Sequence, residues 1–306
     1  MWLQREAYGY HPEDPGSKFL PALISGDHLM VDRRRSPRRA KRGMRILSWN
    51  VNGLRSVMGK GFLPWLDGCG ADIVGLQEVR ASQEQLSDAI AAFAQRGWHF
   101  SVSVAEKKGY SGVGLLSRVK PDALETTLGV NAFDVEGRVQ RARFGSVVVV
   151  NAYFPNGNGT NRDNSRIPFK LAFYQRVFEL LESERRRGTP LVVMGDFNTA
   201  HTEIDLARAK TNHKTSGFTP AERGALDRLL TAGWVDSFRE FESGAGHYSW
   251  WSQRGNVRER NVGWRIDLIL ISGAVRPFLQ AAFIAKDVMG SDHCPIGIDL
   301  EPGVSG

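Results

Sequence analysis

Seven short apolar runs punctuate the chain beyond Met44, at residues 46–49, 73–76, 113–116, 147–153, 191–194, 266–271 and 296–300, each bounded by Gly, Asn or charge. Runs this short and this rich in Val, Ile and Leu read as buried strands. Between them, residues 83–95, 169–187 and 220–232 space apolar side chains three and four apart, as Phe173, Val177, Leu180 and Leu181 do, and read as amphipathic helices. Strands interspersed with helices, without an internal repeat or a linker, predict one α/β domain over residues 44–306, built from two layered sheets flanked by helices.

The residues on which the runs end narrow the reading further. Trp49 leads into Asn50 and Asn52, Leu76 into Gln77 and Glu78, Tyr153 into Asn156, Met194 into Asp196 and Asn198, and Gly290 into Ser291, Asp292 and His293. Taken singly, an Asp or Asn after a strand makes an Asx turn. Loops leaving a rigid sheet also carry chemistry disproportionately, and Asp267 sits inside an apolar strand. An acid at a core-facing position is destabilising unless it is paired or bound to a cation.

Glu78, Asp267 and Asp292, with the amides Asn50 and Asn52, offer hard oxygen ligands of the kind magnesium prefers. Cys69 and Cys294 are the only cysteines and lie far apart, so a thiolate zinc site is not supported and a reducing compartment fits. A cation on a phosphate oxygen offsets charge in the transition state of phosphate-ester hydrolysis. Asp196 and His293 are the candidates for the base that activates water, since an Asp beside a His fixes its tautomer and raises its basicity.

Seven ordered blocks carry a resemblance to a known family. They are Ser48-Trp49-Asn50-Val51-Asn52-Gly53-Leu54-Arg55, Leu76-Gln77-Glu78, Gly109-Tyr110-Ser111-Gly112-Val113-Gly114, Asn151-Ala152-Tyr153-Phe154-Pro155-Asn156, Gly195-Asp196-Phe197-Asn198, Asn261-Val262-Gly263-Trp264-Arg265-Ile266-Asp267 and Ser291-Asp292-His293. In this order they resemble the exonuclease III and abasic-site endonuclease family, within the endonuclease/exonuclease/phosphatase superfamily. The resemblance implies a DNase I-like, four-layered α/β sandwich with two packed mixed β-sheets flanked by helices. It implies a hydrolase that cuts phosphodiesters 5′ to an abasic site or stepwise from a 3′ terminus, leaving 3′-hydroxyl ends. Magnesium is the implied cation, with manganese able to substitute. Glu78 looks like the principal metal ligand, with Asn50 and Asp292 near the metal. Asp196 would orient or deprotonate the attacking water and Asn198 would bond the phosphate. His293 would contact the scissile phosphate while Asp267 holds its other ring nitrogen, and Tyr153 would hydrogen-bond a phosphate oxygen.

The segment from His247 to Trp264 sets the substrate. Tyr248, Trp250, Trp251 and Trp264 lie among Arg254, Arg258, Arg260 and Arg265. Aromatics stack on bases for about 1–3 kcal/mol each and arginines meet phosphates. Trp251 reads equally well as a core residue. In the resembled family, positions matching Trp250, Trp264 and Ile266 line a pocket for a flipped-out, baseless sugar, too small for an intact nucleotide. Arg55, Lys60, Arg80, Tyr110, Arg138, Asn156, Asn212 and Arg254 match phosphate contacts, which position a duplex without reading bases. Double-stranded DNA with an abasic site or a recessed 3′ end is the expected partner. Thr215 stands where an amide is expected, and Gln253 and Arg254 stand where relatives place an apolar wedge.

Residues 1–43 differ in character, with nine Lys+Arg against five Asp+Glu, a net +4 of the chain's +7. Acids precede their brief apolar run and Pro21 interrupts it, which a secretory signal does not tolerate. The stretch reads as a basic, disordered leader, or as untranslated sequence ahead of a start at Met44. No apolar run approaches the roughly 20 residues of a membrane span, so no membrane partner is expected. The reading is of a monomer in the cytoplasm, nucleoid-associated in a bacterium. Two rivals are a superfamily phosphoesterase acting on a small phosphoester or lipid headgroup, and a catalytically idle DNA-binding relative. The aromatic and basic segment argues against the first; the presence of every expected catalytic residue type argues against the second.

Overall fold

All seven residues of the strand Val147–Tyr153 are buried, which a strand reaches only when both of its faces are covered. A computed structural model shows how; it describes residues 43–304, so the leader lies outside the described residues. The elements run β1 Met44–Asn50, α1 Leu54–Met58, α2 Phe62–Gly68, β2 Ile73–Gln77, α3 Ser87–Gln95, β3 His99–Ser103, β4 Val113–Ser117, β5 Ala123–Glu125, α4 Asn131–Asp134, β6 Val139–Phe144 and β7 Val147–Tyr153. Then follow α5 Ile167–Arg186, β8 Leu191–Asp196, α6 Ala209–Asn212, α7 Pro220–Thr231, β9 Trp234–Asp236, β10 Asp267–Ser272, β11 Leu279–Ile284 and β12 Ile296–Leu300.

The strands form two six-stranded mixed sheets, ordered β11-β12-β1-β2-β4-β3 and β5-β6-β7-β8-β10-β9. Alternation along the strands sorts side chains into layers. On β7, Val147 and Val149 join Ile46, Ile73, Val192, Met194, Ile269 and Ile298 between the sheets. Val148, Val150 and Ala152 face the other way, onto Phe173, Val177 and Leu181 of α5 and Leu226 of α7. Leu47, Trp49, Val74 and Leu76 pack outward on Leu54, Val57, Phe62, Leu66 and Phe93 of α1, α2 and α3. The result is the expected four-layered sandwich.

All seven expected strands form, each within about two residues of its sequence bounds, while residues 83–95 divide into a 3₁₀ turn, Glu84–Leu86, and α3. Five strands escaped the sequence reading. In β6, Arg141 and Arg143 interrupt the apolar pattern, yet their guanidinium groups pair with Glu125 and Glu184 at the sheet surface. Strand β9 is three residues long, and β3 and β11 are half-exposed edges. Helix α7 starts on a capping box between Thr219 and Glu222 with Pro220 in its first turn. No helix among the described residues is long and apolar enough to cross a membrane.

The sheets meet across a polar seam under one end of the sandwich. Gln77 donates to Asn151 Oδ1 at 2.7 Å and to Ser48 at 3.0 Å, and Asn151 donates to the Gly114 carbonyl at 2.8 Å. Gly75 is required there, because a Cβ would lie 2.5 Å from Met194 and 2.8 Å from Asn151 Oδ1. A buried amide cluster of this kind, in which the Gln77 NH₂ and the Asn151 side chain are paired and only Gln77 Oε1 lacks a partner, fixes the register of one sheet against the other.

Candidate active site

Strand direction brings the polar strand ends together. Strands β1 and β2 run parallel, as do β7 and β8, so Asn50, Glu78, Tyr153 and Asp196 leave their sheets at the same end. Strand β10 runs antiparallel to β8 and begins where β8 ends, which places Asp267 opposite Asp196, itself opposite Tyr153. His293 precedes β12, antiparallel to β1, and enters from the other sheet. Glu78, Asn198 and Asn52 adopt left-handed backbone conformations, with φ of 54°, 50° and 46°. Such conformations in non-glycine residues are costly and concentrate where function requires them.

These residues surround a cavity of about 280 Å³, lined by Asn52, Glu78, Arg80, Tyr153, Asn156, Asn158, Asp196, Asn198, Thr215, Ser216, Gly217, Trp250, Trp264, Ile266, Asp292 and His293. On its floor, the Nδ1–H of His293 donates to Asp267 Oδ2 at 2.8 Å, and His293 Nε2 stands 3.9 Å from Asp196 Oδ2. Asp196 Oδ2 accepts from Asn50 Nδ2 at 2.9 Å across the sheet interface and from Asn198 Nδ2 at 3.1 Å, while the Asn198 amide caps Oδ1 at 2.7 Å. Tyr153 donates its hydroxyl to Glu78, whose other oxygen pairs with Arg80 at 2.5 Å. Asp292 accepts from Asn52 at 2.8 Å and from the Trp250 indole at 3.2 Å.

The electrostatics separate the groups by role. Burial pushes the Asp196 carboxyl up to about 7, and the nearby Asp267 and Glu78 add to this, although His293 opposes it. Burial disfavours the His293 imidazolium, but Asp267, Asp196 and Asp292 outweigh it and raise the imidazole to about 10. Around neutral pH the site therefore holds a charged imidazolium beside a carboxylate poised to take a proton. Burial raises Asp292, while His293, Asn52 and Trp250 hold it below its ordinary value on balance. Burial and Glu78 hold the Tyr153 phenol protonated, well above its ordinary range.

The donor set suits a hard cation. Four carboxylates, from Glu78, Asp196, Asp267 and Asp292, lie at or just behind the cavity wall, three of them around the His293 imidazole, and Asp267 Oδ1 is buried without a hydrogen-bond partner. Among the described residues, Asp196, Asp267 and His293 form a cluster whose ligand atoms lie within 4.8 Å of one another. Excess negative charge in a partly desolvated cavity is relieved by a divalent ion held by oxygens.

Most residues singled out in the sequence meet here. Asn50 and Asp267 stand just behind the cavity wall, each bonded to a lining residue. Trp250 and Trp264 meet edge to face, with ring centroids 6.4 Å apart, and Ile266 packs beside them with Leu206 and Phe218. Lys60 and Arg80 line an adjoining groove with Gln253 and Arg258. Arg55 and Arg254 are exposed outside the cavity. Asn212 turns its amide back to the Arg208 carbonyl at 2.7 Å and does not reach the cavity.

Some basic and aromatic residues are structural instead. Arg138 is 3% exposed, binds Glu136, the Tyr153 carbonyl and the Tyr110 hydroxyl, and stacks over the Tyr153 ring at 4.5 Å. It braces Tyr153 and Tyr110, and the half-exposed cation on the same cluster is Arg166. Arg265 is 1% exposed and pairs with Asp205 and Asp236, each at 2.7 Å, so it cannot meet phosphate. Arg258 stacks on Trp251 and donates to the carbonyls of Lys286, Val288 and Ser291, clamping that loop. Trp251 is a core residue beside Tyr248 and Cys294. Ser216 and Gly217 line the cavity without having stood out in the sequence; their signal was the capping box of Thr219 and Glu222 just beyond them.

Comparison with known proteins matches residues 47–293 to the Endonuclease/Exonuclease/phosphatase family. An exodeoxyribonuclease of Bacillus subtilis (strain 168) is 40% identical over 256 residues, covering 83% of this chain and 98% of the relative. A DNA-(apurinic or apyrimidinic site) endonuclease of Dictyostelium discoideum is 35% identical over 275 residues, covering 89% of this chain and 75% of the relative. Among solved structures, a 3′-5′ exonuclease from Neisseria meningitidis superposes with a TM-score of 0.76 at 30% identity, covering 84% of this chain and all of that one.

Proposed function

Because this chain belongs to the endonuclease/exonuclease/phosphatase family, we propose that it is a DNA repair nuclease, hydrolysing phosphodiesters 5′ to abasic sites and stepwise from recessed 3′ ends, with magnesium as its cation. One observation carries the reading: Asp196 and His293, the latter held from behind by Asp267, line a cavity whose wall is Trp250, Trp264 and Ile266. Hydrolytic groups and an apolar wall of sugar size share one opening. We read this wall as the seat of a baseless deoxyribose, from which an intact nucleotide is excluded by its base.

Glu78, with Asp292 and Asn50, would hold the cation, which supplies Lewis-acid stabilisation of charge on the phosphoryl oxygens. The chain's own groups do the rest. The Asp196 carboxylate takes a proton from water, whose oxygen bonds to phosphorus as the bond from phosphorus to the 3′-oxygen breaks. The released 3′-oxygen is protonated from solvent. The His293 imidazolium, held by Asp267, donates a hydrogen bond to one of the two non-bridging phosphate oxygens, and Asn198 and Tyr153, whose hydroxyl swings over from Glu78, donate to the other.

The test is a 5′-labelled duplex carrying one abasic analogue, beside an undamaged duplex with a recessed 3′ end, each with magnesium and with chelator. A single magnesium-dependent cut at the lesion, or a ladder from the recessed end, supports the reading and apportions the two activities. Cleavage of neither duplex overturns the reading and favours the superfamily phosphoesterase or the catalytically idle DNA-binding relative instead.

A further inference from the structure

Behind the cavity lies a fully buried ion pair that the hydrolytic scheme does not use. Lys170 of α5 and Glu222 of α7 are 2.6 Å apart, and both side chains are wholly inaccessible to solvent. The Lys170 ammonium also donates to the Asn198 carbonyl at 2.7 Å. The Glu222 carboxylate accepts from the Gly217 amide at 2.9 and 2.8 Å, from the Thr219 amide at 3.2 Å and from the Thr219 hydroxyl at 2.7 Å. The Ser216 hydroxyl lies 3.3 Å from it.

We propose that Lys170 and Glu222 are a positioning pair for the proposed nuclease site, locking Asn198 to the Ser216-Gly217 wall so that the phosphate-bonding amide and the sugar pocket keep one relative geometry. One end of the pair bears on a costly left-handed residue, Asn198, and the other on a turn that only glycine fits, at Gly217. Asn198 is left-handed at φ 50° and directs its own amide and side-chain NH₂ onto Asp196. Tyr174, one turn beyond Lys170 on α5, donates to the Phe197 carbonyl at 2.5 Å, so two side chains of one helix face hold the turn after β8. Gly217 has φ 93°, and a Cβ there would lie 2.9 Å from the Asn198 carbonyl and 3.4 Å from the Trp264 ring. The wall therefore touches both Asn198 and the pocket tryptophan with no slack.

A buried ion pair is poor evidence of a contribution to stability, because desolvation offsets much of the attraction. It is well suited to fixing direction, since the charged oxygens and ammonium each demand several donors or acceptors at set positions. The inference rests on the nuclease reading for its catalytic half, and the experiment separates the two. Lys170→Met with Glu222→Gln removes both charges without leaving either one buried alone; Lys170→Gln with Glu222→Gln, which keeps a hydrogen-bonding amide at each position, is the gentler second variant. For the folded first variant, kcat at the abasic lesion is expected to fall about 30-fold or more, with KM within threefold of the parent, as for a sub-ångström misplacement of transition-state groups.

Hydrogen exchange provides a readout independent of activity: the amides of residues 198 and 217 should exchange at least tenfold faster in both variants while those of β7 and β8 keep their protection. Unchanged exchange at those two amides overturns the proposal, as does an unchanged kcat with only a lower melting temperature, which marks a merely structural pair. A parent chain that cuts neither duplex overturns the nuclease reading instead, and the exchange result then decides the pair alone.

Discussion

His293 Nδ1 and Asp267 Oδ2 lie 2.8 Å apart, joined between the loop before β12 and the first residue of β10, so each sheet contributes one member of the contact. The bond keeps the imidazole charged and aims its other nitrogen at Asp196. Asp267→Asn is expected to lower kcat about 10²-fold or more, as loss of a positioned acid-base partner does. It should also move the alkaline limb of the pH–rate profile to lower pH, because Asp267 raises the imidazole and its removal lets deprotonation occur sooner. The acidic limb reports the Asp196–His293 pair losing its carboxylate as pH falls through about 7. A kcat/KM profile from pH 5 to 10 for both proteins checks this; an alkaline limb that stays in place contradicts the assignment.

Glu78→Ala should leave a folded protein that needs about tenfold more magnesium for half-maximal cutting, or more, since one carboxylate of the ligand set is lost. Chelator should abolish cutting by the parent, and manganese should restore it. Magnesium titrations of initial rate measure the difference, and an unaltered requirement would place the cation elsewhere.

Trp264→Ala opens the wall of the sugar pocket. Incision at an abasic analogue should fall by about 10-fold or more, in line with loss of about 1.5–3 kcal/mol of apolar contact with the sugar, while hydrolysis from an undamaged 3′ end falls less. Equal losses on the two substrates would remove the pocket from the account of selectivity.

Asp205 is buried between Arg265, at 2.7 Å, and Arg239, at 2.5 Å. Burial opposes its ionisation, yet the two guanidinium groups hold its carboxyl far below the ordinary range. A depressed folded-state value contributes stability above the unfolded value of about 3.9, and that stability is lost as pH falls towards the folded value. Asp205→Asn leaves Arg265 short of one partner and should destabilise the fold by about 3–5 kcal/mol at pH 7. Urea midpoints should show the gap between parent and variant narrowing between pH 5 and pH 2; a constant gap would mean that the charge of Asp205 is not what the fold uses.

The sequence by itself determined the layers and the chemistry. The near-continuous apolar run of strands such as Val147–Tyr153 and the period-3.6 spacing in Ile167–Arg186 are local properties, and they mark a strand covered on both faces and a helix with one inward face before any partner is known. The polar endings at Glu78, Asp196 and His293 were legible for the same reason, since an apolar run that stops on such groups reflects a sheet edge. Tertiary structure alone decided which charges face one another. Arg138 and Arg265 look like phosphate contacts in the chain, but Arg265 meets Asp205 and Asp236 from distant elements, and Arg138, beside its near neighbour Glu136, meets the Tyr110 hydroxyl and the Tyr153 carbonyl, so both arginines lie in the interior. Lys170 lies 52 residues from Glu222, and His293 lies 26 from Asp267. No local periodicity encodes such pairs, because their energy depends on burial and on distances that exist only after the sheets and helices have packed.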